Sequence, residues 1–272
     1  MLKKITIYLT VALFIFGVTD IALGKEVING IGVQAVKDVV DKMARAFVKK
    51  NQAVQVKTKE DKVGTAIEAV GKGKAGSLFG MINRPLNDKE KSTYPDIKTF
   101  IFAKDGVAII VHPDNPVKAI TSAQLKEIFK GKITNWSQLG GNKGVISMII
   151  REKTSNQRIA LERVVMGKEK VPVGRVREIG SMGDVKTDVA LDKSAMGYIL
   201  ISAIDKKVKA IELDGVAPTI ANVKAGAYPV TIPFYLITKG EPTGAIKSFM
   251  DFIVTQEGQA LVEKEKIGFV GN

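Results

Sequence analysis

The sequence predicts an α/β protein built on a doubly wound sheet. Three observations carry that prediction. Short apolar strands alternate with helical stretches in a repeated β-α-β order. The helical stretches place apolar residues at the 3.6-residue spacing of an amphipathic helix. Gly, Pro, Asn and Asp punctuate the joins between them.

The elements follow in order. Glu26 to Asn29 is a short apolar-polar strand, after which Val36, Val39, Val40, Met43 and Phe47 recur at helical spacing. Val54 to Lys57 alternates like a strand, Thr65 to Val70 reads as a helix, and the small and apolar run Gly76 to Ile82 fits a buried strand. Ile97 to Ala103 and Val107 to His112 read as two strands around a turn at Lys104-Asp105-Gly106, and Pro113 and Pro116 then stop the sheet. Thr121 with Gln124 forms a capping box, Leu125, Ile128 and Phe129 give the apolar stripe, and Gly131 closes that helix. Val145 to Ile150 is a strongly apolar strand that ends at Arg151 before a helix from Asn156 to Val165. The loop Gly180-Ser181-Met182-Gly183 precedes a helix from Asp184 to Leu191 and a strand from Met196 to Ile201. Tyr228 to Thr238 is extended, and Gly244 to Val254 and Gly258 to Lys264 are closing helices. The chain shows no internal repeat and no low-complexity tract.

The first 24 residues stand apart. Lys3 and Lys4 precede an apolar run from Ile5 to Val18, and Ala22-Leu23-Gly24 precede Lys25, the order of a cleavable secretory signal. The run is about 14 residues, short of the roughly 20 needed to cross a bilayer as a helix. The expectation is an exported, periplasmic protein beginning at Lys25. Its charge falls from +13 by the +1 of Lys3, Lys4 and Asp20, to +12. With no cysteine there is no disulfide and no thiol to carry a lipid anchor. About 248 residues then remain, and 45% apolar residues are ample for a core. The positive charge raises nucleic acid as a partner. Aromatic residues are only 6%, however, and the lysines are spread rather than striped, so no nucleic-acid partner is expected and the charge reads as a surface favouring anions.

The chemistry the residues allow is binding. One histidine, no cysteine, no Gly-x-Ser-x-Gly elbow and no P-loop leave no constellation for hydrolysis, and no paired acids stand at a position that suits an enzyme. His112 reads as structural, Trp136 as packing, Arg84 as the partner of a carboxylate, and the methionines as core filler. No metal site or cofactor is expected. The best anion site is the turn from Arg151 to Gln157, where a strand ending in arginine feeds a helix N-terminus whose free N–H groups and positive dipole end attract anions. Arg151 would add a charge-assisted contact, and Ser155 a hydroxyl to cap the helix or donate to the ligand. An ordinary helix cap beside a surface arginine gives the same pattern, and the residues alone favour that blander reading.

Several stretches shift the balance. Lys104-Asp105-Gly106-Val107-Ala108-Ile109-Ile110-Val111-His112-Pro113-Asp114-Asn115-Pro116 and Ile128-Phe129-Lys130-Gly131-Lys132-Ile133-Thr134-Asn135-Trp136 are the most specific. Asn83-Arg84-Pro85-Leu86, Gly197-Tyr198, Tyr228-Pro229-Val230 and Gln256-Glu257-Gly258-Gln259-Ala260 fall in the same order. Together they resemble the phosphate-binding proteins of ABC uptake systems, from about Val27 to Val270. The resemblance implies a two-lobed clamp of the type II periplasmic-binding-protein kind, each lobe a doubly wound sheet, joined by two crossing strands. The crossings are expected near Val107 to His112 and Ile201 to Ile211. Lobe one would comprise residues 25–112 and 207–272, and lobe two residues 113–206. Such a clamp closes on its ligand by hinge motion.

The resemblance also implies a site. The family's loop, Arg-x-x-Gly-Ser-Gly-Thr-Arg, reads here Arg151-Glu152-Lys153-Thr154-Ser155-Asn156-Gln157-Arg158, so Arg151, Ser155 and Arg158 match while Asn156 and Gln157 are bulkier amide-bearing replacements. In the first strand-helix turn only Gln34 has a side-chain donor, and in the second Val63 stands where a serine is expected, with Thr65 close by. Leu78 stands where the family's carboxylate acceptor is expected. The implied ligand-binding set is Arg151, Ser155, Asn156, Gln157, Gln34 and Thr65. The implied function is capture of a small oxyanion, phosphate by default, by a monomer that delivers it to an ABC transporter permease in the inner membrane. The alternative is a degenerate homologue that binds another ligand or a partner protein in a sensing role.

Overall fold

A computed structural model describes residues 25–169, 176–265 and 267–269 of the chain. The secretory segment expected over residues 1–24 lies outside them. Three parallel strands open the fold, β1 (Glu26–Gly32), β2 (Val54–Glu60) and β3 (Leu78–Ile82), with α1 (Gln34–Lys50) and α2 (Val63–Lys72) as their crossovers. After α3 (Asp88–Thr93) comes the longest strand, β4 (Ile97–Val111). The short β5 (Ala119–Ile120), α4 (Ser122–Phe129) and a 3-10 turn (Trp136–Leu139) lead to β6 (Ser147–Arg151), α5 (Asn156–Val165), β7 (Val176–Ile179), α6 (Met182–Leu191) and β8 (Ala195–Leu200). The chain then runs through β9 (Lys209–Leu213), α7 (Ile220–Lys224), β10 (Thr231–Lys239), α8 (Gly244–Ile253), α9 (Gln256–Lys264) and β11 (Gly268–Phe269).

The strands line up as β2-β1-β3-β10-β4-β8-β6-β7, and β4 is the spine. Its first part, Ile97 to Gly106, pairs antiparallel with β10, while Val107 to Val111 pairs antiparallel with β8. One strand thus belongs to two groups, β2-β1-β3-β10 on one side and β8-β6-β7 on the other. This corrects the expectation of two strands around a turn at Lys104-Asp105-Gly106. An Asp-Gly pair signals a turn when the glycine takes a positive φ, and Gly106 does not. Here Asp105 is fully buried, and its carboxylate accepts the Gly106 N–H and the Ser202 hydroxyl, so the backbone passes straight through. The return near Ile201 to Ile211 is a 3-10 turn (Ile201–Ala203) followed by β9, which pairs with Ile109–Val111 of β4 and with β5. The chain reaches the first group again with β10.

Apolar periodicity explains why helices cover both faces. In the first group α1 lays Val36, Val40, Met43 and Phe47 onto one face, where Phe47 and Phe79 each meet the ring of Phe249 from α8 at 5.3 and 5.8 Å. Val63, Ala66, Ile67 and Val70 of α2 close the other face over Ile82 and Ile237. The second group repeats this: Met148 and Ile150 join the cluster with Leu125, Trp136 and Leu161, while Ile149 turns to Val185 and Val189 of α6. Strands buried on both faces read as continuous apolar runs, as Val107 to Val111 and Met148 to Ile150 do. The capping box of α4 forms as its residues predict, Thr121 and Gln124 each accepting the other's backbone N–H. Gly32 is obligatory at the end of β1, because a Cβ there would lie 1.9 Å from the Met81 carbonyl oxygen.

Candidate functional site

The site follows from strand direction. β1, β2 and β3 run parallel to β4, because β3 and β4 both pair antiparallel with β10, while β8 and β6 run the opposite way. The carboxyl ends of the two groups therefore face each other across the middle of β4. Ile82 at the end of β3 is level, through Tyr235, with Ile101, and Leu200 at the end of β8 is opposite Val107. In open α/β sheets ligands bind outside the carboxyl ends of strands, and here two such edges form the walls of one cleft.

Arg151 ends β6 at this edge. Its backbone N–H donates to the Tyr198 hydroxyl at 2.8 Å, and the buried Arg158 donates to its carbonyl at 2.8 Å, so the turn is braced from both sides. Arg158 also binds Glu162 and Glu178, which makes this matching arginine a brace and not a ligand group. Burial pushes the Tyr198 hydroxyl well above its usual range, so it stays a neutral hydrogen-bonding group. The Arg151 guanidinium is largely sheltered and spends its donors on Glu152 in two bonds of 2.9 and 3.0 Å, the Gly180 carbonyl at 3.0 Å, and the Gln157 amide oxygen at 2.8 Å. Ser155 occupies the N-cap position of α5 without capping it; its hydroxyl donates to the same Gln157 oxygen at 3.0 Å. The N–H groups of Asn156, Gln157 and Arg158 form the first turn of α5, where no carbonyl of the helix lies behind them to accept. Asn156 reaches across the cleft and donates its side-chain amide to Asn83, the residue that follows β3.

The fold thus brings together four of the six predicted site residues, Arg151, Ser155, Asn156 and Gln157. Gln34 and Thr65 lie at the other wall, in the first turns of α1 and α2, and both are exposed. Gln34 donates to Asp38 one turn on, and Thr65 is a hydrogen-bond partner of Asp61, whose carboxyl is held low first by the Lys62 N–H and then by Thr65. Neither is bonded to the Arg151–Gln157 turn. Leu78 opens β3 at its amino end, roughly 13 Å of strand away from the cleft edge at 3.3 Å per residue, so it is not the position from which β3 serves the cleft. Asn83 is. The signal that marks it is its place as the first polar residue after the apolar run that ends at Ile82.

Two further features border the cleft. A cavity of about 350 Å³ lies between α1 and the other group, with Ala35, Asp38 and Lys42 on one wall and Met182, Leu200 and Ser202 on the other. Behind it, burial pushes the Asp105 carboxyl up to about 7, against the Ser202 hydroxyl and the Gly106 N–H that pull it down. The other singled-out residues take structural roles. Trp136 is 4% exposed and donates to the Ser194 carbonyl at 3.1 Å. The His112 Nδ1 accepts the Asp114 N–H at 3.1 Å, and Arg84 makes a two-bond ion pair with Glu90 at 2.7 Å.

Comparison with known proteins identifies the family and the fold. The family model for the PBP superfamily domain matches residues 22–257. Phosphate-binding protein PstS of Bacillus subtilis is 30% identical over 246 residues, covering 89% of this chain and 81% of that one. Among solved structures, a Clostridium perfringens chain assigned as a phosphate ABC transporter substrate-binding protein, with bound phosphate, superposes with a TM-score of 0.80 at 35% identity, covering 90% of this chain and 100% of its own. An ABC-type phosphate transport receptor from Vibrio cholerae gives a TM-score of 0.72 at 29% identity, with 90% and 100% covered. The fold is therefore the two-lobed α/β clamp that the resemblance implied. Among the described residues no helix is long and apolar enough to cross a membrane.

Proposed function

This chain belongs to the PBP superfamily and within it to the phosphate-binding proteins of ABC uptake systems, and from that premise we propose that it captures inorganic phosphate in the cleft between its lobes and delivers it to a membrane permease. The observation that carries the reading is the convergence of Arg151, Ser155 and the first turn of α5 on one point of the cleft edge. A cation, a hydroxyl and outward N–H groups together offer positive charge and hydrogen-bond donors, the complement of an oxyanion. Asn83 and Asn156 supply amides from the two walls. The relatives carry the names of binding proteins, and the reading for this chain is likewise binding without chemical conversion.

The lobes meet along β4. We place lobe one at residues 25–105 with 231–269 and lobe two at 107–213, because strand pairing changes at Gly106 and β9 pairs with the second part of β4. The Tyr228 hydroxyl donates to the Val107 carbonyl at 3.0 Å, which ties the returning chain to the spine where β10 begins. We infer that the protein is exported and acts as a monomer outside the cytoplasmic membrane.

Calorimetric titration with phosphate, arsenate, sulfate and small carboxylates tests the proposal. Phosphate is expected to bind tightest and to raise the melting temperature by linkage. If no anion binds up to millimolar concentration, the reading as an uptake receptor fails.

A further inference from the structure

We propose that Gln157 occupies the anion position of its own site, so that phosphate binds only by displacing the Gln157 side chain. The inference rests on the reading of this cleft as the anion site and deepens it into a statement about affinity and selectivity.

The geometry is specific. The Gln157 amide oxygen accepts from the Arg151 Nη1 at 2.8 Å and from the Ser155 Oγ at 3.0 Å. These are the two side-chain donors that a bound oxyanion would use, and one neutral oxygen already holds both. Gln157 is 8% exposed, so the arrangement is not a surface side chain sampling several partners. The other end of the amide is weakly held: among the described residues Nε2 donates to the Met182 sulfur alone, at 3.5 Å, and a thioether is a poor acceptor. Met182 is itself a flexible side chain that lines the cavity between the lobes, so the side on which Gln157 can yield adjoins open volume. An amide oxygen resembles a phosphate oxygen in size and as an acceptor, but it carries no net charge. A phosphate with one or two negative charges therefore wins the exchange at Arg151, while a neutral or weakly accepting solute does not.

Two consequences follow. The apparent affinity for phosphate is reduced by the fraction of molecules in which Gln157 has moved away, since only those are competent to bind. Discrimination also increases, because a ligand must replace two satisfied hydrogen bonds before it gains anything. With the Gln157 oxygen in place, neither the cationic arginine nor the hydroxyl is left unpaired, which avoids the cost of a buried unsatisfied donor.

Phosphate titrations of four variants and one spectroscopic measurement test the inference. Gln157→Thr and Gln157→Ala are expected to bind phosphate about tenfold tighter than the unmodified protein, because the competing oxygen is gone. Gln157→Glu is expected to bind at least about tenfold more weakly, because a carboxylate at this place pairs permanently with Arg151 and repels the anion. In the unmodified protein the Gln157 side-chain amide resonances are expected to shift on saturation with phosphate, a readout that does not depend on a buried substitution folding. Affinities of the Thr and Ala variants equal to or weaker than the parent overturn the inference, as does a Glu variant that binds normally or an amide signal that phosphate leaves in place. Arg151→Ala separates the two levels. If it leaves phosphate affinity unchanged, the site itself is misplaced and the inference falls with it. If it weakens binding while the Gln157 variants behave as the parent, the site stands and only the displacement is wrong.

Discussion

Asn156 donates its side-chain amide to the Asn83 oxygen across 73 positions of sequence, joining the first turn of α5 to the end of β3. Each residue sits at the carboxyl edge of its own strand group, so this one bond measures how close the two walls stand. An intramolecular hydrogen bond contributes about 1 kcal/mol net. Asn83→Ala and Asn156→Ala are each expected to weaken phosphate binding by roughly fivefold and to enlarge the radius of gyration of the ligand-free protein in solution scattering. In a double-mutant cycle on phosphate affinity the two should couple by about 1 kcal/mol. Strictly additive losses would mean that the bond is no stronger in the phosphate-bound clamp than in the free one, and that it does not serve binding.

The lysine at position 25 is expected to be the first residue of the exported protein. N-terminal sequencing of protein recovered outside the cytoplasm checks it, with Lys25-Glu26-Val27 as the expected start. An intact Met1 in a membrane fraction would show that the apolar run from Ile5 to Val18 serves as an anchor instead.

Local signals read well and non-local ones do not. The α5 boundaries, Asn156 and Val165, coincide with those the apolar pattern predicts, because the strand that precedes the helix ends sharply at Arg151. The Thr121–Gln124 box forms because its two bonds are made within four residues. A second box, Asn87 with Glu90 at the start of α3, has the same sequence form but leads into the polar run Asp88–Thr93 with no apolar stripe to draw attention to it. The strand β7 is passed over because its middle residues are Arg177 and Glu178, and its place in the sheet comes from pairing with β6. The straight passage of β4 depends on Ser202, 97 residues away, which gives Asp105 a partner inside the protein. The cleft pairing of Asn83 with Asn156 is invisible for the same reason: no local pattern links the end of one strand to a helix in the other lobe.

Arg151 should dominate the affinity while the far wall contributes little. Arg151→Ala removes a charge-assisted contact of about 1.5 to 3 kcal/mol and is expected to weaken phosphate binding roughly ten- to a hundredfold. Gln34 and Thr65 make their side-chain contacts within their own turns, to Asp38 and Asp61, so Gln34→Ala and Thr65→Ala should each change affinity less than about threefold. Titration calorimetry on the three variants decides the matter. A large loss in Gln34→Ala with a normal Arg151→Ala would move the site to lobe one.

Asp105 should make the protein less stable as pH rises from about 4 to about 7. Its carboxyl is fully buried at the point where β4 passes from one lobe to the other, and burial pushes its pKa up to about 7 from an ordinary 3.8. The Ser202 hydroxyl and the Gly106 N–H favour the ionised form and offset only part of that shift. Between the two values the folded protein holds a proton that the unfolded chain has released, so the unfolded state binds fewer protons and stability falls with increasing pH. A shift of about three units corresponds to about 4 kcal/mol at most. Asp61, Glu90, Asp114, Glu169 and Asp205 have depressed pKa values, and their opposite contribution is lost only as pH falls below the usual carboxylate range, which leaves Asp105 as the shifted carboxyl among the described residues that acts above about 4.5. Asp105→Asn keeps an oxygen to accept from Ser202 and Gly106 but cannot ionise. Urea denaturation at pH 5 and pH 8 should therefore show the Asn variant close to the parent at the lower pH and more stable than it at the higher. If parent and variant lose stability in parallel across that range, another group titrates there and the Asp105 carboxyl is already ionised in the folded protein.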